Sequence, residues 1–383
     1  MTSEDFFQNI HQHLKKQLPF VVYRKPNEGE VKAMLQNTKQ LHLIKDYSEK
    51  GFVMAPFDAT KSSVLIPFEA SVSIACASVN LSELLELSNK LVKKGTFRDN
   101  SEDVDSDRNF HIKLVQKGVE AIKKAQFGKV VLSRREPFGL KEENPIEIFK
   151  RLLQNYPTAF VYCWFHPEIG LWLGATPENL ISTEGSRFKT MALAGTQKYE
   201  GTEQVLWQKK EKEEQQFVTD FILQSLKEST ENIHISEVKT VKAGNLLHLQ
   251  TNISGILNFK NSSFKDLLDQ LHPTPAVCGM PKEASKQFIL KNENYNREFY
   301  TGFLGELNLQ EKNTRNTNRR NVENNAYASI KNVSNLFVNL RCMQILDKRA
   351  LIYVGGGITK DSNPEAEWQE TCSKALVMKK VLQ

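Results

Sequence analysis

The chain has 383 residues, of which 40% are hydrophobic and 25% are charged. This composition is typical of soluble globular proteins and excludes collagen-like, disordered and coiled-coil chains. Fifty-one lysines and arginines against 45 aspartates and glutamates leave a net charge of +6, which favours anionic small molecules mildly and nucleic acid weakly.

Short periodic segments occupy the first hundred residues. Apolar side chains at every fourth position from Phe6 to Leu18 predict an opening amphipathic helix. Further on, β-rich runs such as 51–56 and 63–67 alternate with polar turns and predict strands. A helix is predicted around 81–94. The acidic, turn-rich segment 98–107 then predicts a surface linker and the best internal boundary.

Strands and helices alternate in the remainder of the chain. An apolar stripe over 110–122 predicts a helix, and it leads into 129–134, a β-branched run typical of a buried strand. The elements predicted next are a pair of strands at 159–165 and 169–173, a helix at 211–226, and a hairpin of 336–342 with 350–354.

The segment 312–331 interrupts this pattern. It is crowded with asparagine and arginine and has few apolar residues, which predicts a mobile loop. An RNA-binding arm is the alternative, although segments of this kind are more often simply solvated.

Cysteine usage and the first residues indicate the compartment. The five cysteines are widely spaced and lack a CxxC pair, so neither a disulfide framework nor a zinc site is indicated. Residues 1–18 do not have the pattern of a secretion signal, and no run reaches the roughly 18 apolar residues of a membrane span. We therefore expect a soluble, cytoplasmic protein with no membrane partner.

Two pairs of carboxylates stand at i, i+3 spacing. These are Glu211 with Glu214, and Glu367 with Glu370. On a helix each pair lies on one face, so two such helices facing each other would place four carboxylates around one point. Oxygen ligands of this kind suit magnesium. Spacing alone favours a solvated helix face for each pair, because Glu211 lies within a run of alternating lysines and glutamates.

A glycine-rich run, Gly355 to Ile358, follows an apolar strand. Glycines let the backbone approach a ligand and can offer N–H groups to an anion. The run lacks the GxGxxG pattern of dinucleotide sites, and the chain has no Walker A sequence. Taken alone, the run is better interpreted as a tight turn.

Lys129 and Glu178 are candidates for proton transfer. An ammonium held among apolar neighbours is destabilised, so a lysine at the start of a buried strand can act as a general base. Glu178 follows a strand and a proline, where it could be a positioned acid or an ordinary residue in the first turn of a helix. The histidines His248 and His272 stand in apolar settings, which is more typical of core residues than of ligands.

Taken in chain order, these motifs resemble the chorismate-utilising enzyme family. The family includes isochorismate synthases, salicylate synthases and the large subunits of anthranilate and aminodeoxychorismate synthases. The matching segments are KVVLSR at 129–134, GATPE at 174–178, LAGT at 193–196, HPTPA at 272–276, REFYTG at 297–302, Arg341-Cys342, GGGI at 355–358, and PEAEWQET at 364–371 with Lys374.

The resemblance implies a fold and a metal. It implies an α+β chain in which two antiparallel β-sheets pack on each other with helices outside, and a magnesium-dependent reaction. It also implies one large domain over 1–383, with a divergent part at 1–105 and a chorismate-binding catalytic part at 110–383.

The resemblance also implies roles for individual residues. Glu214 and Glu367 resemble the principal magnesium ligands, with Glu211 and Glu370 in support. This chain departs from the family at Gln215, where the usual residue is histidine. The remaining binding roles fall to Tyr300, Arg341, Lys374 and the backbone of Gly356 and Gly357, which would hold substrate carboxylates, to His248 beside the substrate ring, and to Thr196 in the neighbouring pocket.

Two positions distinguish between members of the family. Ammonia-using anthranilate synthases typically carry glutamine where Lys129 stands, so a lysine base here favours water as the nucleophile. Aminodeoxychorismate synthases carry a nucleophilic lysine where Ala194 stands, so that covalent route is not available. With Glu178 protonating the departing 4-hydroxyl, the expected product is isochorismate, made for menaquinone or siderophore biosynthesis.

Two alternatives remain at this point. Salicylate synthases share the lysine base and the LAGT run, and they eliminate pyruvate from isochorismate in the same pocket. A non-catalytic protein that binds anions or nucleic acid through 312–331 belongs to a different class. We expect a monomer that acts on chorismate, without a glutamine amidotransferase subunit and without nucleic acid.

Overall fold

The computed structural model describes residues 1–77, 101–140, 144–243, 246–260, 262–313 and 329–382. The helices in these ranges are α1 (Ser3–Lys15), α2 (Ser101–Lys123), α3 (Pro145–Asn155), α4 (Lys209–Leu226), α5 (Phe264–Leu271), α6 (Lys282–Asn292) and α7 (Pro364–Lys379).

The strands are numbered in chain order. They are β1 (Phe20–Arg24), β2 (Val31–Gln36), β3 (His42–Leu43), β4 (Gly51–Ala55), β5 (Val64–Pro67), β6 (Ser71–Cys76), β7 (Lys129–Gly139), β8 (Phe160–His166), β9 (Gly170–Thr176), β10 (Asn179–Glu184), β11 (Arg187–Lys198), β12 (Thr230–Ile235), β13 (Lys239–Ala243), β14 (Leu246–Leu257), β15 (Gly279–Met280), β16 (Phe303–Asn313), β17 (Ser329–Val338), β18 (Cys342–Leu346) and β19 (Arg349–Ile358).

The strands form two antiparallel sheets. The first has the order β15-β7-β19-β18-β9-β8-β1-β2-β6. The second has the order β12-β14-β11-β10-β17-β16-β4-β5-β3, and β13 pairs with β14 beside this path. Strands from the first hundred residues complete both sheets, since β1 pairs with β8 and β4 pairs with β16. The predicted α+β class with two antiparallel sheets is therefore confirmed.

A largely aromatic core joins the two sheets. Phe160 of the first sheet stacks on Phe337 of the second, with ring centroids 4.3 Å apart. Trp164, Trp172 and Phe52 are fully buried in the same cluster. The other faces of the sheets pack against helices, with α1, α3 and α7 over the first sheet and α4 and α5 over the second. Helices therefore lie outside the paired sheets, as predicted.

Most of the predicted elements are confirmed. The opening helix is α1, and the runs at 51–56 and 63–67 are β4 and β5. The β-branched run at 129–134 begins β7, whose residues 130–134 are buried. The strand pair is β8 with β9, and the helix at 211–226 is α4.

The linker predicted over 98–107 is wrong from Ser101 onward, because α2 begins there. Acidic side chains favour the amino end of a helix through its dipole, so the same residues that suggest a loop also support a helix start. The helix predicted around 81–94 lies outside the described residues.

The predicted hairpin of 336–342 with 350–354 is also wrong. Residues 336–338 end β17 in the second sheet, and the chain then crosses to β18 in the first sheet. The true hairpin is β18 with β19, closed at Asp347 and Lys348, which both have positive φ. The crossing is marked by Arg341, whose φ of 48° ends the extended run.

The predicted loop at 312–331 is shorter than expected at both ends. Asn313 and Ser329 are paired at the ends of β16 and β17, and Lys331 forms an ion pair of 2.6 Å with Glu184. Residues 314–328 lie outside the described residues. Within the ranges described above, no helix combines the length and the apolar character needed to cross a bilayer.

Candidate active site

All thirteen predicted site residues line one cavity of about 280 Å³. The cavity lies where β7 and β19 of the first sheet meet the loop after β9, the strands β11 and β14, and the helices α4 and α7. The residues brought together are Lys129, Glu178, Thr196, Glu211, Glu214, His248, Tyr300, Arg341, Gly356, Gly357, Glu367, Glu370 and Lys374.

The glycine run forms one wall of the cavity, and it belongs to β19 instead of to a turn. A Cβ added at Gly357 would lie 3.0 Å from Cε of Lys129, and one at Gly356 would lie 3.2 Å from Oε2 of Glu367. The absence of side chains at Gly356 and Gly357 therefore lets the lysine and the glutamate lie against the backbone of β19.

The two glutamate pairs face the cavity from α4 and α7. The interpretation of Glu211 and Glu214 as a solvated face is wrong, because both are partly buried while Lys212 and Glu213 are exposed. Gln215, the position that departs from the family, is buried and donates a 2.9 Å hydrogen bond to Oγ1 of Thr251. It thereby ties α4 to the second sheet and does not line the cavity.

Lysines pair with two of the four carboxylates. Nζ of Lys129 lies 2.5 Å from Oε1 of Glu214, and Nζ of Lys374 lies 2.7 Å from Oε1 of Glu370. Burial would raise the pKa of Glu214, but the adjacent lysine charges, above all that of Lys129, bring this pKa below its ordinary value. Burial raises the pKa of Glu367, and the nearby carboxylate of Glu370 adds to the shift.

The carboxylate oxygens of the four glutamates are ligands of the type that a hard divalent cation prefers, although the four side chains do not form a compact cluster. No cluster of three or more Asp, Glu, His or Cys side chains suited to a metal is present among the described residues. Oε2 of Glu211 is nevertheless buried with no hydrogen-bond partner. Glu367 rests in the space left by Gly356. A buried acceptor without a donor is costly, and a cation would satisfy it.

Glu178 lies deep in the cavity, on the loop between β9 and β10. It is not in a helix, so its interpretation as a residue in a first helical turn is wrong. Its backbone is fixed at both ends, since its N–H donates to Oγ1 of Thr176 and its carbonyl accepts from the N–H of Val338. Burial raises the pKa of Glu178 to about 7, against the opposing charges of Lys129 and Arg341.

Arg341 supplies a partly buried positive charge at the crossing between the sheets. Burial lowers its pKa, whereas the nearby Tyr156 and Glu178 act in the opposite direction. A guanidinium remains charged in proteins. Its five donors suit a carboxylate, so this residue can bind an anion in the cavity.

His248 is held as a neutral acceptor. Its Nδ1 lies 2.9 Å from the carbonyl of Gly195 and 3.4 Å from Oγ1 of Thr196. Burial lowers the pKa of His248 to about 4, so the ring is neutral at pH 7 and Nδ1 carries the proton that the carbonyl accepts. Nε2 is buried with no hydrogen-bond partner, and it is left as an acceptor. His272, by contrast, is a core residue, with Nε2 2.9 Å from the carbonyl of Thr301.

The wall also contains residues that were not predicted, and three of them carry aromatic, hydroxyl or ammonium groups. Tyr353 stacks on Tyr300 with centroids 5.4 Å apart, and Oγ1 of Thr359 is buried without a partner. Lys210 is exposed at the cavity and precedes Glu211. Adjacency to a predicted motif is the only sequence signal that could have identified Lys210 and Thr359, whereas strand alternation could have identified Tyr353.

An α+β frame thus brings two glutamate pairs, a buried acid and partly buried cations around one cavity, an arrangement suited to a small anionic ligand. Residues 65–314 match the family model of chorismate binding enzymes, and residues 326–380 match a second model with the same description. The chain belongs to the chorismate-binding enzyme family.

Similar proteins include two bacterial isochorismate synthases. MenF of Pasteurella multocida is 30% identical over 284 residues, which are 70% of this chain and 60% of that protein. EntC of Escherichia coli is 27% identical over 265 residues, which are 66% of this chain and 62% of that protein. The chain therefore matches about three fifths of the length of these relatives.

Solved structures show the same fold. The menaquinone-specific isochorismate synthase MenF of Escherichia coli superposes with a TM-score of 0.73 at 20% identity, covering 95% of this chain and 89% of that one. Anthranilate synthase component I of Streptococcus pneumoniae is more distant, with a TM-score of 0.62 at 16% identity, covering 94% of this chain and 92% of that one.

Proposed function

We propose that the protein is an isochorismate synthase, which converts chorismate to isochorismate by adding water at ring carbon 2 and releasing the 4-hydroxyl. The observation that carries this proposal is the placement of a lysine and a buried glutamate in one anion-binding cavity. Lys129 and Glu178 can serve as base and acid there, and the names of the relatives agree with this reaction.

Lys129 is the proposed base. It lies at the start of β7 with a side chain that is 15% exposed, so it reaches the cavity without being freely solvated. In its neutral form it takes a proton from the attacking water. To act as a base it has to be free of its ion pair with Glu214, which is also one of the residues that would hold the metal.

Glu178 is the proposed acid. With a pKa of about 7 it carries a proton for a large fraction of the time near neutral pH. It can therefore protonate the departing 4-hydroxyl, a transfer that an ordinary solvated carboxyl would make poorly.

The remaining residues would hold the substrate, a dianion. Arg341, Lys374 and Tyr300 are assigned to its carboxylates, together with the backbone of Gly356 and Gly357. His248 and Thr196 would contact the ring side of the substrate, where the free Nε2 acceptor can receive a hydroxyl proton.

Magnesium is the proposed cofactor. Glu214 and Glu367 would be its principal ligands, supported by Glu211 and Glu370. When bound, it would supply positive charge to a substrate carboxylate and fix the ring in place.

We further propose that the chain folds as one domain over 1–383 and acts as a monomer without an amidotransferase subunit. The pairing of β1 with β8 and of β4 with β16 supports one domain, because the divergent part at 1–105 supplies strands to both sheets. The product could serve menaquinone or siderophore biosynthesis.

The test is to incubate the purified protein with chorismate and magnesium, with and without ammonium, and to identify the products by chromatography and mass spectrometry. Isochorismate in equilibrium with chorismate is the expected result. Salicylate with pyruvate would instead establish a salicylate synthase, and an ammonium-dependent amino product would show that Lys129 was misinterpreted. Unchanged chorismate would favour a binding protein.

A further inference from the structure

Arg134 lies on β7, outside the lining of the cavity, and contacts α7 through Trp368 and Thr371, which do not line the cavity. It is 7% exposed. Its guanidinium carbon lies 4.2 Å from the ring centroid of Trp368, and its Nε donates a 2.8 Å hydrogen bond to Oγ1 of Thr371. A planar guanidinium can stack flat on an indole ring while its edge donates in a fixed direction, a geometry that a lysine ammonium does not offer.

The two residues of α7 that Arg134 contacts are adjacent in sequence to the two glutamates of that helix. Trp368 and Thr371 each follow one of the glutamates, Glu367 and Glu370, by one position. In an α-helix, one position is a rotation of about 100°. The guanidinium therefore holds one stripe of α7, and the neighbouring stripe is thereby turned toward the cavity.

A second contact fixes Arg134 itself. Its Nη2 lies 2.7 Å from Oε2 of Glu136, whose carboxylate also pairs with Lys379 near the end of α7. Burial would raise the pKa of Glu136, but Lys379 and Arg134 bring it below its ordinary value, so this carboxylate is ionised. Arg134 is thus held on β7 by Glu136 and in turn holds α7.

Other charged and titratable groups near this contact do not replace it. His111 of α2 lies beside Trp368, with ring centroids 5.9 Å apart, but burial lowers its pKa to about 4 and it is neutral. Arg108 of α2 pairs with Glu365 at the exposed start of α7, where an ion pair contributes little.

We propose that Arg134 is a positioning residue that sets the place of Glu367 and Glu370, and through them the affinity of the site for its divalent cation. The proposal rests on the metal assignment made under the proposed function. Groups that orient metal ligands from behind typically change metal affinity by about 10- to 100-fold when they are removed.

The test measures binding of Mn²⁺ as the probe by electron paramagnetic resonance, in a pre-equilibrated mixture of chorismate and isochorismate. The double variant Arg134→Met with Glu136→Gln removes the contacts of the guanidinium with α7 and does not leave the Glu136 carboxylate without its arginine partner. We expect its dissociation constant for Mn²⁺ to rise about 10-fold or more. Arg134→Lys, which keeps the charge but not the planar group, should show a smaller rise.

The dependence of turnover on Mg²⁺ concentration separates positioning from a general loss of structure. The double variant should need more Mg²⁺ for half-maximal turnover, but at saturating Mg²⁺ its kcat should recover most of the wild-type value, because Lys129 and Glu178 are unchanged. Arg108→Met is the matched control, since it removes another arginine that contacts α7, and its Mn²⁺ affinity should be unchanged. An unchanged dissociation constant in the double variant, with only a lower melting temperature, would overturn the proposal.

The variant Glu367→Gln distinguishes the two levels of the argument. If it weakens Mn²⁺ binding while the Arg134 double variant does not, the metal site stands and the positioning role falls. If Glu367→Gln leaves Mn²⁺ binding unchanged, the metal assignment itself is wrong.

Discussion

Individual buried groups in the cavity are held in unusual states by their surroundings. Glu178 is buried and is largely protonated up to about pH 7, whereas Arg341 is partly buried and stays cationic. His248 is neutral because burial opposes its charge. These different protonation states support the proposed roles of Glu178 as acid, Arg341 as anion-binding residue and His248 as hydrogen-bond acceptor better than residue type alone does.

Replacing Lys129 with glutamine should abolish turnover while leaving the fold intact. The substitution removes the base but changes little volume, so we expect a loss of about 10²-fold or more in kcat. The measurement is the rate of isochorismate formation, with circular dichroism to check the fold. Lys209→Gln, which alters an exposed lysine at the start of α4 and outside the cavity, is the control. A wild-type rate in Lys129→Gln would remove the proposed base.

The raised pKa of Glu178 has consequences for both rate and stability. Since the protonated form acts as the acid, kcat should fall as the pH rises through about 7, and Glu178→Gln should be inactive at every pH. The native state binds this proton more tightly than the unfolded chain, whose ordinary pKa is 4.5. The free energy of unfolding should therefore decline as the pH rises from 4.5 through about 7.

Glu178→Gln, which cannot ionise, should escape that decline. Thermal unfolding of the two proteins should show the variant as the more stable one at pH 8, and the difference should be lost at pH 4. Equal melting temperatures at pH 8 would mean that Glu178 is not destabilised by burial.

At the scale of elements, the cavity depends on two helices that are anchored separately. α4 is tied to the second sheet by Gln215, and α7 is tied to the first sheet by Arg134. Each helix presents its glutamates on the side next to its anchored stripe. The separation of the four carboxylates is therefore set by the packing of the two sheets and not by a continuous loop.

Removal of divalent metal should stop the reaction without unfolding either helix. EDTA is expected to abolish turnover, and added Mg²⁺ should restore it, while the far-ultraviolet circular dichroism stays constant because the anchors do not involve metal. Turnover that survives excess EDTA would refute the metal assignment.

A methyl group on β19 should disturb the α7 carboxylate from the opposite side. In Gly356→Ala the new Cβ would lie 3.2 Å from Oε2 of Glu367, so the carboxylate has to move by a few tenths of an ångström. Misplacement of this kind should lower kcat about 10-fold. Gly29→Ala is the control, since its Cβ would meet only the carbonyl of Ala77 at 3.7 Å. Equal rates in the two variants would show that the close approach is unimportant.

At the scale of the whole molecule, the two sheets share one core, and one of the several crossings between them carries a candidate site residue. The chain leaves β17 in the second sheet and enters β18 in the first through Asn339 and Arg341. Asn339 accepts a 2.6 Å hydrogen bond from the hydroxyl of Tyr162 and donates to the carbonyl of Phe299. The crossing is thus fixed by buried polar contacts, and it delivers Arg341 to the cavity.

Removing 314–328 should leave catalysis nearly unchanged. Asn313 and Ser329 are paired residues of adjacent strands, so an Asn-Gly turn can join them directly. We expect kcat to stay within about two-fold of wild type, since the ends lie away from the cavity residues. A large loss, measured with chorismate as above, would show that the segment covers the site or a partner.

The sequence predicts the fold class, and the gathering of the candidate site residues around one cavity, better than it predicts connections. Periodicity identifies α1, β7 and α4, because one face of each is buried. It fails at 336–342, where a mainly apolar segment contains the crossing between the sheets at Asn339 and Arg341. It fails again at 98–107, because acidic residues suit a loop and a helix start equally well. Local composition does not reveal which sheet a strand joins.

The site roles illustrate the same limit. Spacing alone favours a solvated face for Glu211 and Glu214. Their candidate role depends on the glutamates of α7, which line the same cavity and are distant in sequence. The ion pair of Lys129 with Glu214 joins residues 85 positions apart, which no local pattern can predict. The motifs of the family supply that long-range information, because they record which distant residues occur together.

The order of strands has a consequence during synthesis. β19 lies between β7 and β18 in the first sheet, and it carries the glycine wall, yet it comes after all the other strands along the chain. A nascent chain that ends before residue 349 has neither that wall nor α7 with its two glutamates. The ribosome must therefore have synthesised the chain through β19 and α7 before the cavity can form, so a product terminated before residue 349 should not bind the proposed substrate.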